Sequence, residues 1–106
     1  AADIINIKLM KTGGISNAVR IADIAAVYDV ECMIGCMIET SISVAAAVHL
    51  AIAKSSVITK VDLDGPSLCA FDPVDGGVIF NESEISASDA PGLGIRAIRG
   101  YQPIVR

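Results

Sequence analysis

The fold is decided by residues 4–14, whose sequence is IINIKLMKTGG. The segment begins with a short apolar run rich in β-branched residues, which is typical of a strand buried on both faces of a parallel sheet. Because side chains alternate along a strand, Ile7 and Leu9 lie on one face while Asn6 and Lys8 lie on the other. The carboxyl ends of parallel strands carry the binding and catalytic groups of α/β folds. Lys8 is therefore a candidate for such a group, and a lysine that only extends into solvent is the alternative.

A turn and an amphipathic helix follow this strand. Residues 12–14, Thr-Gly-Gly, predict a tight turn, after which Ser16 is a candidate N-cap of a helix that extends to Tyr28. Arg20 and Asp23 lie off its apolar face. That face is predicted to consist of Ala18, Val19, Ala22, Ala25 and Ala26.

Two further strands and a second helix complete the first part of the chain. We predict a strand over residues 30–34, an alanine-rich helix capped by Ser41 or Ser43 and extending to about residue 53, and a strand over residues 57–64. The order β-α-β-α-β predicts an α/β fold class with parallel strands joined by right-handed crossovers. Three strands are too few to close a barrel and leave both sheet edges bare.

The pattern changes after Pro66. Residues 72–77 predict a turn, residues 78–80 a short strand, residues 82–90 an irregular polar segment, and residues 91–95 a second turn-rich element. The tail to Arg106 is expected to be a short strand or disordered. We therefore divide the chain into residues 1–66 and a C-terminal extension over residues 67–106.

Composition excludes several classes of partner. The net charge of −4, the absence of a basic cluster and an aromatic content of only 4% argue against nucleic acid. No apolar run approaches the roughly 18 residues of a membrane span. Three cysteines without a visible secretory leader predict a reduced, cytoplasmic protein. Hydrophobic residues make up 53% of the chain and the mean hydropathy is +0.60, so we expect apolar surface that something else covers.

Ionisable groups follow each of the three predicted strands. Lys8 and Lys11 follow the first strand, Glu39 the second, and Asp62 and Asp64 the third, so parallel pairing would bring them to one rim. A lysine base requires a depressed pKa, which burial and positive neighbours supply. Two carboxylates on one face suit an ammonium group or a metal ion. The alternatives are an acidic pair at the entry of a turn for Asp62 and Asp64 and, for Glu39, a loop carboxylate or a helix N-terminal charge.

Four motifs in a fixed order point to one family of proteins. They are IKLMKTGG (7–14), GCMIET (35–40), DLDGP (62–66) and PGLGI (91–95). Together they resemble the C-terminal part of the muconate lactonizing subgroup of the enolase superfamily, and within it the dipeptide epimerases of the L-Ala-D/L-Glu type. The resemblance implies a (β/α)₈ TIM-type barrel with an α+β capping domain. This chain would supply the sixth, seventh and eighth strands and a C-terminal segment that packs on the capping domain.

The resemblance also implies an isomerase that epimerises dipeptides by proton abstraction next to a carboxylate. Such a proton is weakly acidic, so its removal needs a divalent metal, and the superfamily pairs a Lys or His base with Mg²⁺. Lys8 matches one of two acid/base lysines, and Lys11 matches a supporting lysine. We expect the Mg²⁺ ligands to lie outside this chain.

The remaining matched positions imply contacts with a dipeptide substrate. Asp62 and Asp64 match the pair that holds its N-terminal ammonium group. Glu39 matches an acid at the rim of the site, beside which Met37 and Ile38 would line the pocket.

The earlier strands, the capping domain, the partner lysine and a metal-ligand set are not in this sequence, so we expect a fragment that is inactive alone. One alternative is another reaction of the subgroup: muconate-type cycloisomerisation, N-acylamino acid racemisation or o-succinylbenzoate synthesis. An ammonium-binding pair at residues 62 and 64 favours dipeptides as substrates over the substrates of these other reactions. Another alternative is a non-catalytic module that self-associates through its bare strand edges.

Overall fold

A parallel sheet of three strands forms the centre of the molecule. The computed structural model describes residues 2–100. In it, β1 (Ile4–Lys8), β2 (Glu31–Gly35) and β3 (Ile58–Asp62) pair in parallel in the order β1-β2-β3. The predicted β-α-β-α-β arrangement is therefore confirmed. The third strand is shorter than predicted, because the chain leaves the sheet after Asp62.

The connection between β1 and β2 differs from the prediction at its start. A single helical turn, α1 (Leu9–Thr12), precedes the main helix, α2 (Ile15–Val27). Gly13 ends α1 with a φ of 82° and Gly14 is the N-cap of α2 with a φ of 115°. The predicted Ser16 cap is wrong, because the two glycines turn the chain and no side chain caps α2.

The N-terminus of the second long helix, α3 (Ser41–Ala53), donates hydrogen bonds to a residue that is distant in sequence. Thr40 is the N-cap, so the predicted caps Ser41 and Ser43 are wrong. The backbone N–H of Ser41 donates to Asp72 Oδ1 at 3.3 Å, and the Ser41 hydroxyl donates to Asp72 Oδ2. A carboxylate is favoured at this helix end because the backbone N–H groups there are unpaired and the helix dipole is positive.

The core lies between the sheet and the two long helices. Ala18, Ala22 and Ala25 are the buried residues of α2, and their small side chains let that helix lie close to the strands. Ala26, which we predicted on the same face, is exposed. The largest fully buried side chains are Ile7, Ile34, Val44 and Cys32.

The opposite face of the sheet is open in this chain. Ile7 is buried beneath the helices, whereas Asn6 is exposed and Ile4 retains 42% of its accessible surface, so the prediction of a strand buried on both faces is wrong for β1. On this open face Lys60 and Glu31 form an ion pair of 2.7 Å. The sheet therefore has an apolar face beneath the helices and a face that carries charged groups.

The C-terminal extension returns to α3 and forms two small antiparallel sheets. A 3₁₀ helix (Gly65–Leu68) is followed by β4 (Val74–Gly76), β5 (Ile79–Asn81), β6 (Glu84–Ser86) and β7 (Ile95–Ile98). β4 pairs with β7 and β5 with β6.

Two of these strands were not predicted. β4 lies where we expected only a turn and β6 lies in the segment that we expected to be irregular. Strands of three residues are too short to show periodicity, and both are formed by pairing with another strand. The predicted strand at 78–80 is present as β5, and the predicted tail strand is present as β7; residues 101–106 lie outside the described part.

The extension is joined to the rest of the chain by Asp72, as above, and by Val78, which is buried in the core. The division at residue 66 stays a prediction. Within residues 2–100, no helix has the length and apolar character needed to cross a bilayer.

Candidate functional site

Lys8, Gly35 and Asp62 lie in one row at the carboxyl end of the sheet. In the parallel register, Lys8 pairs with Gly35 and Gly35 pairs with Asp62. Adjacent strands are about 4.8 Å apart, so the backbones of Lys8 and Asp62 are roughly 10 Å apart across the middle strand. The structure thus brings these two residues to the same edge, as parallel pairing led us to expect.

The Lys8 side chain lies across the middle strand. A Cβ atom placed on Gly35 would be 3.1 Å from Lys8 Nζ and 2.8 Å from Asn6 Oδ1, so both side chains reach over that glycine. Lys8 is partly buried. A lysine that only extended into solvent would leave the space over Gly35 empty, so this geometry favours the site interpretation of Lys8.

Asp62 and Asp64 are brought together by a turn. We expected both on one face of an extended strand, but Asp64 lies beyond β3 with φ −92° and ψ 1°. Both aspartates are exposed and flank Leu63, which is 3% exposed. The anionic pair is present, although its geometric basis differs from the one we predicted.

A cleft of about 680 Å³ is lined by both aspartates. Its opposite wall is the β5–β6 hairpin, which contributes Phe80, Glu82 and Ile85. This wall was not predicted from the sequence, because nothing local shows where a hairpin folds back. The only sequence signal was the apolar run that ends at Phe80.

Glu39 is engaged inside the loop that follows β2. It is 8% exposed, and its carboxylate accepts a hydrogen bond from the Met37 N–H at 2.5 Å and another from the Ser43 hydroxyl. Met37 and Ile38 beside it are 44% and 75% exposed. The structure therefore does not place the Glu39 carboxylate on an open rim, and it favours the alternative of a charge near the N-terminus of α3.

The loops that follow β2 and β3 are interlocked. A Cβ atom on Gly65 would be 2.9 Å from Met37 O and 3.1 Å from both Glu39 N and Glu39 O, so only glycine allows this approach. The Cys69 thiol donates to Glu39 O at 3.6 Å. The exposed Lys11 lies in the last turn of α1, directly after β1.

The negative charge at this edge of the sheet affects the pKa of the Cys36 thiol. Burial raises the pKa of its thiol, a hydrogen bond with the Gly65 backbone lowers that pKa, and the charges of Glu39, Asp64 and Asp62 raise it. The Cys36 thiol also lies 3.9 Å from Asp64 Oδ1. The sequence alone did not place this cysteine beside the aspartates.

Metal binding at this edge of the sheet would require several ligand side chains close together. Among residues 2–100, no three His, Cys, Asp or Glu side chains gather closely enough to hold an ion. Mg²⁺ requires oxygen ligands in near-octahedral geometry. The described residues do not form such a site by themselves, and the location of Mg²⁺ ligands outside this chain stays a prediction.

Known proteins are similar to this chain in sequence and in fold. Residues 1–99 match the family described as enolase C-terminal domain-like. The L-Ala-D/L-Glu epimerase of Clostridium acetobutylicum is 60% identical over 98 residues, which cover 92% of this chain and 27% of that protein.

Solved structures of epimerases are also similar to this chain. A substrate-liganded complex of the L-Ala-D/L-Glu epimerase from Bacillus subtilis has a TM-score of 0.87 and 47% identity, covering 92% of this chain and 27% of that one. A dipeptide epimerase from Methylococcus capsulatus, complexed with Mg and the dipeptide L-Arg-D-Lys, has a TM-score of 0.85 and 44% identity, covering 89% of this chain and 26% of that one. The chain therefore spans about 27% of the length of the curated relative that it matches.

We expect Glu39→Ala to lower the free energy of unfolding by about 1–3 kcal/mol, because two partly buried donors, the Met37 N–H and the Ser43 hydroxyl, lose their acceptor. Urea unfolding of the chain measures the effect. Glu84→Ala, which removes an exposed carboxylate from β6, is the matched control and is expected to change stability by less than about 0.5 kcal/mol. Equal effects of the two substitutions would show that Glu39 is not engaged in the loop.

We expect Asp64→Asn to accelerate alkylation of Cys36, because loss of the nearby negative charge lowers the pKa of the thiol and increases the thiolate fraction. The acceleration should be largest below that pKa and vanish above it, where the thiol is fully ionised in both proteins. Iodoacetamide labelling followed by mass spectrometry measures the rate at each pH. Asp23→Asn, on the outer side of α2, is the charge-matched control. Equal alkylation rates for the two variants would show that the Asp64 charge does not control the pKa of the Cys36 thiol.

Proposed function

Because the chain belongs to the enolase C-terminal domain-like family, we propose that it carries one side of the active site of a dipeptide epimerase. Membership of this family confirms the resemblance inferred from the four motifs and the assignment of the α/β unit to part of a TIM-type barrel. Relatives of the chain are epimerases and racemases. The observation that carries the proposal is the row Lys8–Gly35–Asp62, which brings an amine and a carboxylate to one sheet edge.

The charges of Lys8 and Asp62 are available to a ligand. The ion pairs in residues 2–100 are Lys54–Asp23, Lys60–Glu31 and Arg96–Asp75. Lys8 and Asp62 belong to none of these described pairs. Lys8 and Asp62 come from strands on either side of β2, and the Lys8 amine lies over β2, so a substrate placed at this edge can contact both groups.

A dipeptide presents its ammonium group and its reacting α-carbon to different residues of this edge. The ammonium nitrogen lies at most roughly 5 Å from the α-carbon of the second residue. Lys8 Nζ lies over Gly35, and Asp62 is on the next strand, about 4.8 Å from the middle strand, so both groups are within reach of one dipeptide. Asp62 and Asp64 would hold the ammonium group, while Lys8 faces the α-carbon.

The chemistry assigned to Lys8 is proton transfer on one face of the substrate α-carbon. Inversion requires a base on one face and an acid on the other, so a second acid/base group must complete the site. In the complete enzyme, bound Mg²⁺ would stabilise the enediolate, with ligands outside this chain. The role of this chain's residues is to bind the ammonium group and to move one proton at Lys8 Nζ.

The sheet edges and apolar surface that this chain leaves open are consistent with its being part of a larger enzyme. β1 and β3 are both sheet edges, and α2 exposes Ile24, Val27 and Tyr28. Preceding barrel units and a capping domain would cover such surfaces, whereas self-association is the alternative partner. We place the complete enzyme in the cytoplasm, where the three free cysteines would stay reduced.

We expect Lys8→Ala to slow epimerisation strongly while sparing proton exchange on one face. The test uses a chimera in which this chain replaces the matching 98-residue segment of the Clostridium acetobutylicum epimerase. Loss of one acid/base group should slow epimerisation on the order of 10²- to 10⁴-fold. Deuterium incorporation from D₂O, followed by NMR, should be lost for one epimer of Ala-Glu and kept for the other.

Lys54→Ala is the matched control for this experiment, because Lys54 pairs with Asp23 on the helix side of the sheet. It is expected to leave both exchange rates unchanged. An active chimera in which Lys8→Ala exchanges both epimers at the original rates would refute the proposed role of Lys8.

We expect Asp62→Asn to raise KM for L-Ala-L-Glu by about 10- to 100-fold, because a charge-assisted hydrogen bond to the ammonium group is weakened. Steady-state kinetics of the chimera measure the change. N-acetyl-L-Ala-L-Glu, which lacks the ammonium group, should not lose affinity. Asp23→Asn removes the same charge from the far side of the sheet and serves as control. Unchanged dipeptide turnover in Asp62→Asn would favour another reaction of the subgroup.

A further inference from the structure

Gly35 is a glycine that the backbone conformation does not require. It is the last residue of β2, and it is not one of the described glycines with positive φ. An alanine could therefore adopt the same backbone angles. A glycine at such a strand position usually marks a close approach by another group.

The groups that approach Gly35 are the ends of two side chains from β1. An added Cβ atom would lie 2.8 Å from Asn6 Oδ1 and 3.1 Å from Lys8 Nζ. Both distances are shorter than ordinary van der Waals contact with carbon. Gly65 differs, because a Cβ there would meet backbone atoms of the Met37–Glu39 loop. Filling the space at Gly35 thus displaces movable side-chain ends, whereas filling it at Gly65 would displace the main chain.

We propose that Gly35 is a positioning residue for Lys8, because its missing side chain leaves the space in which the lysine amine lies across the middle strand towards Asp62. The inference rests on the proposed function of Lys8 as an acid/base group. Asn6 occupies the adjoining space over the same glycine and limits where the amine can move. A proton-transferring group must be held within about 3 Å of the proton, and an error of about 1 Å can slow a reaction on the order of 10²-fold.

The first experiment compares the full 106-residue chain with its Gly35→Ala variant. Thermal unfolding should be nearly unchanged, because only side-chain ends must move. NMR signals of the Lys8 ε-methylene group should shift, since the amine must leave its position over β2. Met33→Leu, on the same strand and face but one row farther from the edge, is the matched control and should leave the Lys8 signals in place.

The second experiment measures the same substitutions in the chimera. Gly35→Ala should lower kcat by about tenfold or more with KM changed by less than about threefold, because the amine moves while the ammonium site remains. The loss of deuterium exchange should be one-sided and should affect the same epimer that Lys8→Ala affects. Met33→Leu should leave both exchange rates unchanged. A role of Gly35 in stability alone would lower exchange of both epimers equally.

The outcomes separate the two proposals. If Lys8→Ala has no effect on exchange, the proposed function fails. If Lys8→Ala is one-sided but Gly35→Ala leaves kcat and the Lys8 signals unchanged, only the positioning role of Gly35 fails. If the Gly35→Ala chain does not fold, the added methyl group has displaced more than side-chain ends, and the positioning role also fails.

Discussion

The register of the three parallel strands is the constraint on which the rest of the structure depends. It places Lys8, Gly35 and Asp62 in one row and leaves their side of the sheet free of helices. A slip of one residue would turn Lys8 towards the core and Ile7 towards the open face. Burial of Ile7 and Ile34 beneath the helices makes that slip costly, so packing on one face determines which groups reach the other.

Packing also fixes the loops that form the site. The loop after β2 is held by the Glu39 carboxylate from within and by the close approach of Gly65 from the neighbouring loop. The C-terminal extension is tied to α3 by Asp72 and brings the β5–β6 hairpin over the aspartates. Two of these connections, that of Gly65 with the Met37–Glu39 loop and that of Asp72 with α3, join segments that are distant in sequence and hold the loops at the carboxyl end of the sheet.

The open face has a simple physical meaning in this family. In the TIM-type barrel of this family, helices cover the outside of the strands, so the sheet face opposite the helices is the interior face. In this chain that face carries the charged residues Lys8, Glu31, Lys60 and Asp62. The helix side is already packed, which is why the buried residues form one continuous core. The unit therefore has one packed side and one open side, and the proposed site lies at the carboxyl edge of the open side.

Much of this arrangement was determined by local sequence. The apolar runs and the alanine-rich helices predicted β-α-β-α-β, and the order of elements predicted that Lys8 and Asp62 would reach one edge. Hydrophobic periodicity carries this information because each long element buries one continuous stripe. The close approach over Gly35 became clear only from the position of the Lys8 amine.

Tertiary structure alone decided the contacts between distant residues. The sequence suggested that Ser41 or Ser43 caps α3, but Asp72 reaches that helix from 31 positions away. It suggested an extended Asp62–Asp64 pair, whereas the chain turns after Asp62, and it did not show that Glu39 is turned inwards. The Asp72 contact depends on a partner that only folding brings close, and no periodic pattern in a single segment records where such a partner will lie. The turn at Asp64 and the inward Glu39 carboxylate are set by the conformation of two loops, which hydrophobic periodicity does not record either.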